Sequence, residues 1–145
     1  PGKYNEVSTI LDEIAPLLKQ EERVIILGDF NGCSPRDEAF LVANASLRER
    51  DYTFVDRVEA KGFVDVVHKH DPAAKVSCPS PITIPRWSKD LAELKLKRYR
   101  IDFVFADQLL ARDSRSGTIS LSKEIDNISD HYPVIVEFNI SKVHK

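Results

Sequence analysis

The sequence predicts one mixed α/β domain, and three observations carry that prediction. Between Lys3 and Lys19 the apolar residues Val7, Ile10, Leu11, Ile14, Leu17 and Leu18 recur at the 3/4 spacing of an amphipathic helix. Next, Val24-Ile25-Ile26-Leu27 is a run of four aliphatics, bounded by charge before it and by Gly28-Asp29 after it. That is the pattern of a strand buried on both faces in a helix-covered sheet. Finally, Ile101–Phe105 and Tyr132–Ile140 alternate their side chains as strands with two unlike faces do. A chain of 145 residues suits a single domain, which at that size buries roughly 68–70% of its unfolded surface and needs no covalent staples.

Taken in order, the first helix carries Glu6, Asp12, Glu13 and Lys19 on its polar face. Pro16 is expected to distort its last turn, because proline has no amide hydrogen to give. A short charged turn leads into the Val24–Gly28 strand. Ser34-Pro35-Arg36-Asp37 then reads as a helix start, with Ser34 as N-cap, Pro35 first and Asp37 in the first turn, and this helix runs to about Asn44. Another helix is expected from Asp51 to Ala60, ended by Gly62. Phe63–Val67 is too short to classify by period. Asp71–Lys89, with Pro72, Pro79, Pro81 and Pro85, reads as a long surface loop around a short extended piece, Ile82-Thr83-Ile84. Gly117–Lys123 alternates Ile119 and Leu121 with serines, as a half-buried strand would.

Composition narrows the function classes. A formal charge of −2, from 21 basic and 23 acidic residues, argues against sequence-wide capture of nucleic acid but permits a local basic patch. No stretch approaches the ~20 apolar residues of a membrane helix, and no repeat or low-complexity segment is present. Cys33 and Cys78 lack metal-ligand spacing, and His68 and His70 read as an exposed polar turn. The chain opens on Pro1-Gly2 and contains no methionine, so its natural start is expected upstream.

Candidate chemistry gathers at strand ends. Asp29 and Asn31 follow the first strand, where ligands of open α/β sheets collect. In extended chain their i, i+2 spacing would point both to one side, so that a carboxylate and a carboxamide converge. The alternative is an Asx turn that closes the strand. Asp102 is an acid in the middle of an apolar strand, placed there either because that face is solvent or because it orients a partner. Asp130-His131 stands just before the last strand. The basic run Lys95, Lys97, Arg98 and Arg100 makes Arg100 a candidate phosphate contact, with a solvated approach to the strand as the alternative. Trp87 is equally a loop anchor or a substrate contact.

Together, Gly28-Asp29-Phe30-Asn31, Arg100-Ile101-Asp102-Phe103-Val104-Phe105 and Ser129-Asp130-His131-Tyr132-Pro133-Val134 resemble the last three motifs of the endonuclease/exonuclease/phosphatase superfamily, the deoxyribonuclease I-like enzymes. The resemblance covers about residues 24–138. It implies a four-layer α/β/β/α sandwich, and phosphoester hydrolysis by activated water with Mg²⁺ or Mn²⁺. On that resemblance Asp29 matches the water-orienting or general-base carboxylate, and Asn31 the amide that positions the nucleophile and touches phosphate. Asp130 matches the metal-linked acid, His131 the group on the scissile phosphate, and Asp102 the carboxylate that fixes the imidazole tautomer. The family's early asparagine, its glutamate and a further histidine have no match here, so the resemblance is to the carboxy-terminal half of the domain.

Three expectations follow. The 145 residues alone should bind metal poorly and hydrolyse little. Their partners should be a phosphoester substrate (nucleic acid, phospholipid head group or inositol phosphate) and the missing amino-terminal half of the domain. An uncovered sheet face should also favour self-association. The competing reading is a non-catalytic binding module that keeps the fold.

Overall fold

A computed structural model of the chain describes residues 3–19, 23–44 and 51–139. Helix α1 (Lys3–Lys19) runs through Pro16 to the end its periodicity predicts, and β1 (Ile25–Asp29) follows. Next come a 3₁₀ turn (Pro35–Asp37), α2 (Glu38–Ala43), α3 (Thr53–Ala60), β2 (Val64–Asp65) and α4 (Val66–His70). A second 3₁₀ turn (Pro81–Thr83), α5 (Leu91–Lys95), β3 (Asp102–Ala106), α6 (Gln108–Asp113), β4 (Ser114–Ile119) and β5 (Val134–Phe138) complete the order. The turn expected after α1, the side chains of Glu6 and Lys19, and Ile140 lie outside what is described.

Alternation along β3 sets the layers. The antiparallel strands of one sheet lie in the order β1-β3-β2, and β4 pairs antiparallel with β5 in a second. Phe103 and Phe105 point from β3 toward the helices, where Leu11 of α1 and Val55 and Val58 of α3 complete a buried core. Within it Phe30, Phe54, Phe103 and Phe105 stand 4.9–6.2 Å apart, centroid to centroid, stacked or edge to face. The opposite face of β3 packs through Ala106 on Val66, Leu110 and Ala111, with Val136 and Phe138 of β5 against them. Helices, first sheet and second sheet therefore form successive layers.

Local signals account for several boundaries. Ser34 Oγ accepts the Arg36 amide at 3.2 Å, and Pro35 takes the first helical position. Gly62 has φ +91°, a left-handed conformation that glycine adopts without a Cβ penalty, and it ends α3 where predicted.

Four expectations are corrected. β1 is not buried on both faces: among the described residues it is an edge strand, with Ile26 packed against the core while Ile25 and Leu27 are exposed, Leu27 to 67%. Burial on both faces requires a layer packed over each, and the apolar run alone does not reveal which faces are covered. The strand expected at Gly117–Lys123 begins at Ser114 and stops at Ile119, and Leu121 lies exposed beyond it. Ile82–Ile84 is not extended, since Pro81 opens a 3₁₀ turn whose Thr83 Oγ1 donates to the Ser80 carbonyl at 2.8 Å. Nor is all of the Asp71–Lys89 loop on the surface, because Val76 to Ser80 is buried.

Candidate active site

The pairing of β1 with β3 puts Asp29 directly across from Asp102. The ladder extends one step further, with the Phe30 amide donating to the Ile101 carbonyl at 2.9 Å. The third motif arrives from beside β5, and His131 Nδ1 lies 2.8 Å from Asp102 Oδ2, both side chains only partly exposed. A carboxylate can only accept, so Nδ1 is the donor, and Nε2 is left to meet a ligand.

Asp29 and Asn31 do meet, but by a different geometry from the extended one expected. Asn31 has φ +52°, and Asp29 Oδ1 accepts its backbone amide at 2.7 Å while Oδ2 accepts its Nδ2 at 3.2 Å. This is the Asx-turn alternative, which asparagine tolerates because its short polar side chain suits the left-handed region. The turn does not use up the carboxylate, which has about four lone-pair directions. Just beyond, Gly32 admits no other residue in place, since a Cβ there would sit 2.5 Å from the Phe54 ring.

Asp130 is exposed, and its carbonyl accepts the Ser80 amide at 2.9 Å. An indirect observation relates it to the other acids. The Cys78 thiol is pushed up to about 12, chiefly by burial, with Asp102, Asp130 and Asp29 each acting in the same direction. Carboxylates from three segments thus each add negative potential at one buried thiol. Such a field suits a cation. Yet among the described residues no three of His, Cys, Asp and Glu are close enough together to hold a metal ion.

Arg100 is a correction. It is 1% exposed and carries ion pairs to Asp37 Oδ2 at 2.8 Å and Asp65 Oδ2 at 2.7 Å, with its guanidinium 4.5 Å above the Phe103 ring. It therefore cannot contact substrate. The basic run misled because charge in sequence does not say which side chain turns inward. Asp37, read as a first-turn acid, is 1% exposed and also takes Lys75 Nζ at 2.7 Å. Nothing in its helix-start pattern marked it as a buried ion-pair partner. Trp87 is 40% exposed, anchored by its amide to the Thr83 carbonyl at 2.8 Å, with Arg86 6.0 Å from its ring.

No protein-family model and no curated protein matches the chain. Solved structures do. The 3'-5' exonuclease NExo of Neisseria meningitidis superposes with a TM-score of 0.64 at 17% identity, over 92% of this chain and 52% of its own. An AP endonuclease of Archaeoglobus fulgidus gives 0.64 at 19% identity, over 94% and 53%. The APE2 catalytic domain of Xenopus laevis gives 0.61 at 19% identity, over 92% and 42%. At such identities the likeness is one of fold, and the chain spans about half the length of these structures. The chain therefore shares the α/β fold of these nuclease structures, over about half of their length.

Proposed function

We propose that the chain is the carboxy-terminal part of a metal-dependent phosphoesterase that hydrolyses its substrate with an activated water. The observation that carries this reading is the Asp102–His131 hydrogen bond at the same sheet end as the Asp29–Asn31 turn. Attack on an anionic phosphoester needs a proton acceptor for water and donors for the phosphorus oxygens. Asp29 takes the water proton and the Asn31 amide positions the nucleophile against phosphate. His131, its tautomer fixed by Asp102, donates from Nε2 when protonated, or orients the water when neutral. Asp130 is the carboxylate offered to Mg²⁺ or Mn²⁺, and Trp87 is a substrate contact on the loop. Mg²⁺ commonly makes do with one or two carboxylates plus phosphate and water. When bound, it would neutralise charge on the phosphorus oxygens. The remaining protein ligand belongs to the half of the sandwich that this chain does not span.

Nucleic acid is the substrate class favoured, ahead of a phospholipid head group or an inositol phosphate. One matched structure, the Neisseria 3' phosphatase NExo, is described as bound to a product DNA hairpin. The exposed Ile25 and Leu27 on β1 are the surface on which the amino-terminal half, or a second copy, would pack.

The test is a substrate panel of DNA, sphingomyelin and inositol phosphates, offered to the complete protein with Mg²⁺ and with chelator. Chelator-sensitive cleavage of DNA is expected, and the 145 residues alone should turn over little. Cleavage of nothing on the panel, or cleavage indifferent to chelator, sinks the proposal. A second reading is a binding module that keeps the fold. It predicts substrate binding without turnover.

A further inference from the structure

We propose that Ser77 is a positioning residue for the Asp102–His131 pair, one fully buried hydroxyl and carbonyl tying together the two segments that carry it. This inference rests on the phosphoesterase reading and assigns it a residue outside its motifs. Ser77 is 0% exposed. Its Oγ accepts the Ile101 amide at 3.0 Å and the Asp102 amide at 3.2 Å. Its carbonyl accepts the Tyr132 amide at 2.7 Å, and its own amide donates to the Tyr99 carbonyl at 2.9 Å. Asp102 is therefore held at its own backbone, and His131 at the residue next to it, by the same serine.

The reason lies in the sheet. β2 is only two residues long and pairs with β3 at Phe105 and Ala106, so among the described residues no second strand runs alongside β3 at the Asp102 end. The Asp102 amide would lack an acceptor there, and a buried amide without one is expensive. Ser77 supplies it. The strap continues through Ser80, whose amide donates to the Asp130 carbonyl at 2.9 Å and whose hydroxyl donates to the Ser129 carbonyl. Val76 to Ser80 thus forms a buried brace between the acid on β3 and the loop that bears the imidazole. A carboxylate and a ring held to 2.8 Å from separate segments need both backbones fixed, because small displacements in a site are costly in rate.

The test reads geometry directly. In the protein, the His131 Nδ1 proton is followed by NMR for its exchange with water, alongside the Ile101 and Asp102 amides. Ser77→Ala should speed exchange of the imidazole proton about tenfold, the equivalent of one lost hydrogen bond, and Ser77→Thr, which keeps the hydroxyl, should restore most of the protection. Val58→Ala, a core cavity far from the hydroxyl, serves as the control for general softening and should leave that proton nearly unchanged. Equal acceleration in Ser77→Ala and Val58→Ala, or none in Ser77→Ala, would overturn the proposal. If Ser77→Ala does not fold, the unmodified protein still decides. Ile101 and Asp102 amides that exchange as slowly as those of central β3 support it, and amides as fast as those of the exposed Lys123–Ile128 turn refute it. None of these readouts needs turnover. A protein that hydrolyses nothing removes the enzymatic reading, whereas an active enzyme whose imidazole proton ignores Ser77 removes this inference alone.

Discussion

Strand β3 is bracketed by two aspartates, Asp102 where it begins and Asp107 just after it ends, and they are put to different uses. Asp107 is 8% exposed. Its Oδ2 accepts the Val24 amide at 2.8 Å, while its Oδ1 accepts the Leu109 and Leu110 amides at 2.8 and 3.0 Å. All three of these bonds come from backbone, with Asp107 acting as N-cap of α6 and as a clasp on the start of β1. Asp102 is only half-buried, and one oxygen is committed to an imidazole whose far nitrogen is free to act. An acid satisfied by amides holds a fold together, whereas an acid satisfied by histidine prepares that histidine. Composition and position on the strand do not distinguish them; their partners do.

Substitution should separate the two most sharply in activity. In the complete protein, Asp102→Asn or His131→Ala should lower kcat by about 10²–10⁴-fold, the usual contribution of a placed acid or base, with the melting temperature nearly unchanged. Asp107→Ala should do the reverse, costing about 1–3 kcal/mol of stability through lost capping and unsatisfied amides while kcat per folded molecule holds. Paired steady-state kinetics and thermal melts would read both. If Asp107→Ala lost activity at full folding, or either active-site variant kept near-full turnover, the division between the two acids would fail.

A second contrast lies in the buried acids, Asp37 and Asp65, which share the buried Arg100 as ion-pair partner, although Asp65 Oδ1 also accepts the His68 amide at 3.1 Å and Asp37 also pairs with Lys75. Removing one partner of a buried ion pair strands the others, which typically costs about 3–5 kcal/mol, so Arg100→Met should be the most destabilising single change proposed here. Triple replacement of Arg100, Asp37 and Asp65 by apolar residues should recover much of that loss. Denaturant midpoints would measure it. A mild effect of Arg100→Met would mean that water reaches the cluster and that its pairs are worth no more than surface ones.

Much of this was legible in the sequence, and the gaps have a physical pattern. Helix α1, the Ser34 cap, the Gly62 stop and the β3 alternation each follow from a local rule, so they can be read locally. The Asp102–His131 meeting was readable only through the motifs that resemble a family, since no short-range rule brings residues 102 and 131 together. What escaped was set at long range. The inward turn of Arg100 depends on Asp37 and Asp65, each more than thirty residues away in sequence, and the edge position of β1 depends on which strands flank it. Ser77 gave no signal at all, being one serine in a proline-rich loop whose role arises from β2 being too short to reach it.

The finest test of the two aspartates uses Cys78 as a reporter. Its thiol is pushed from 9.0 up to about 12, first by burial and then by Asp102, with smaller contributions from Asp130 and Asp29, and Asp107 is not among the causes. A thiol whose pKa is higher when folded than when unfolded stabilises the fold fully below pH 9.0. That stabilisation is lost as pH climbs through about 12, because the unfolded chain ionises first. Cys78→Ala should therefore flatten part of the alkaline decline in denaturation midpoint. Asp102→Asn should lower the pH at which Cys78 becomes alkylated, as resolved by peptide mass analysis, and Asp107→Asn should leave it unmoved. The change will be small, since burial is the leading cause and survives both substitutions. An equal response to the two would place Asp102 no nearer the thiol in electrostatic terms than Asp107, and the site's negative field would then have to come from elsewhere.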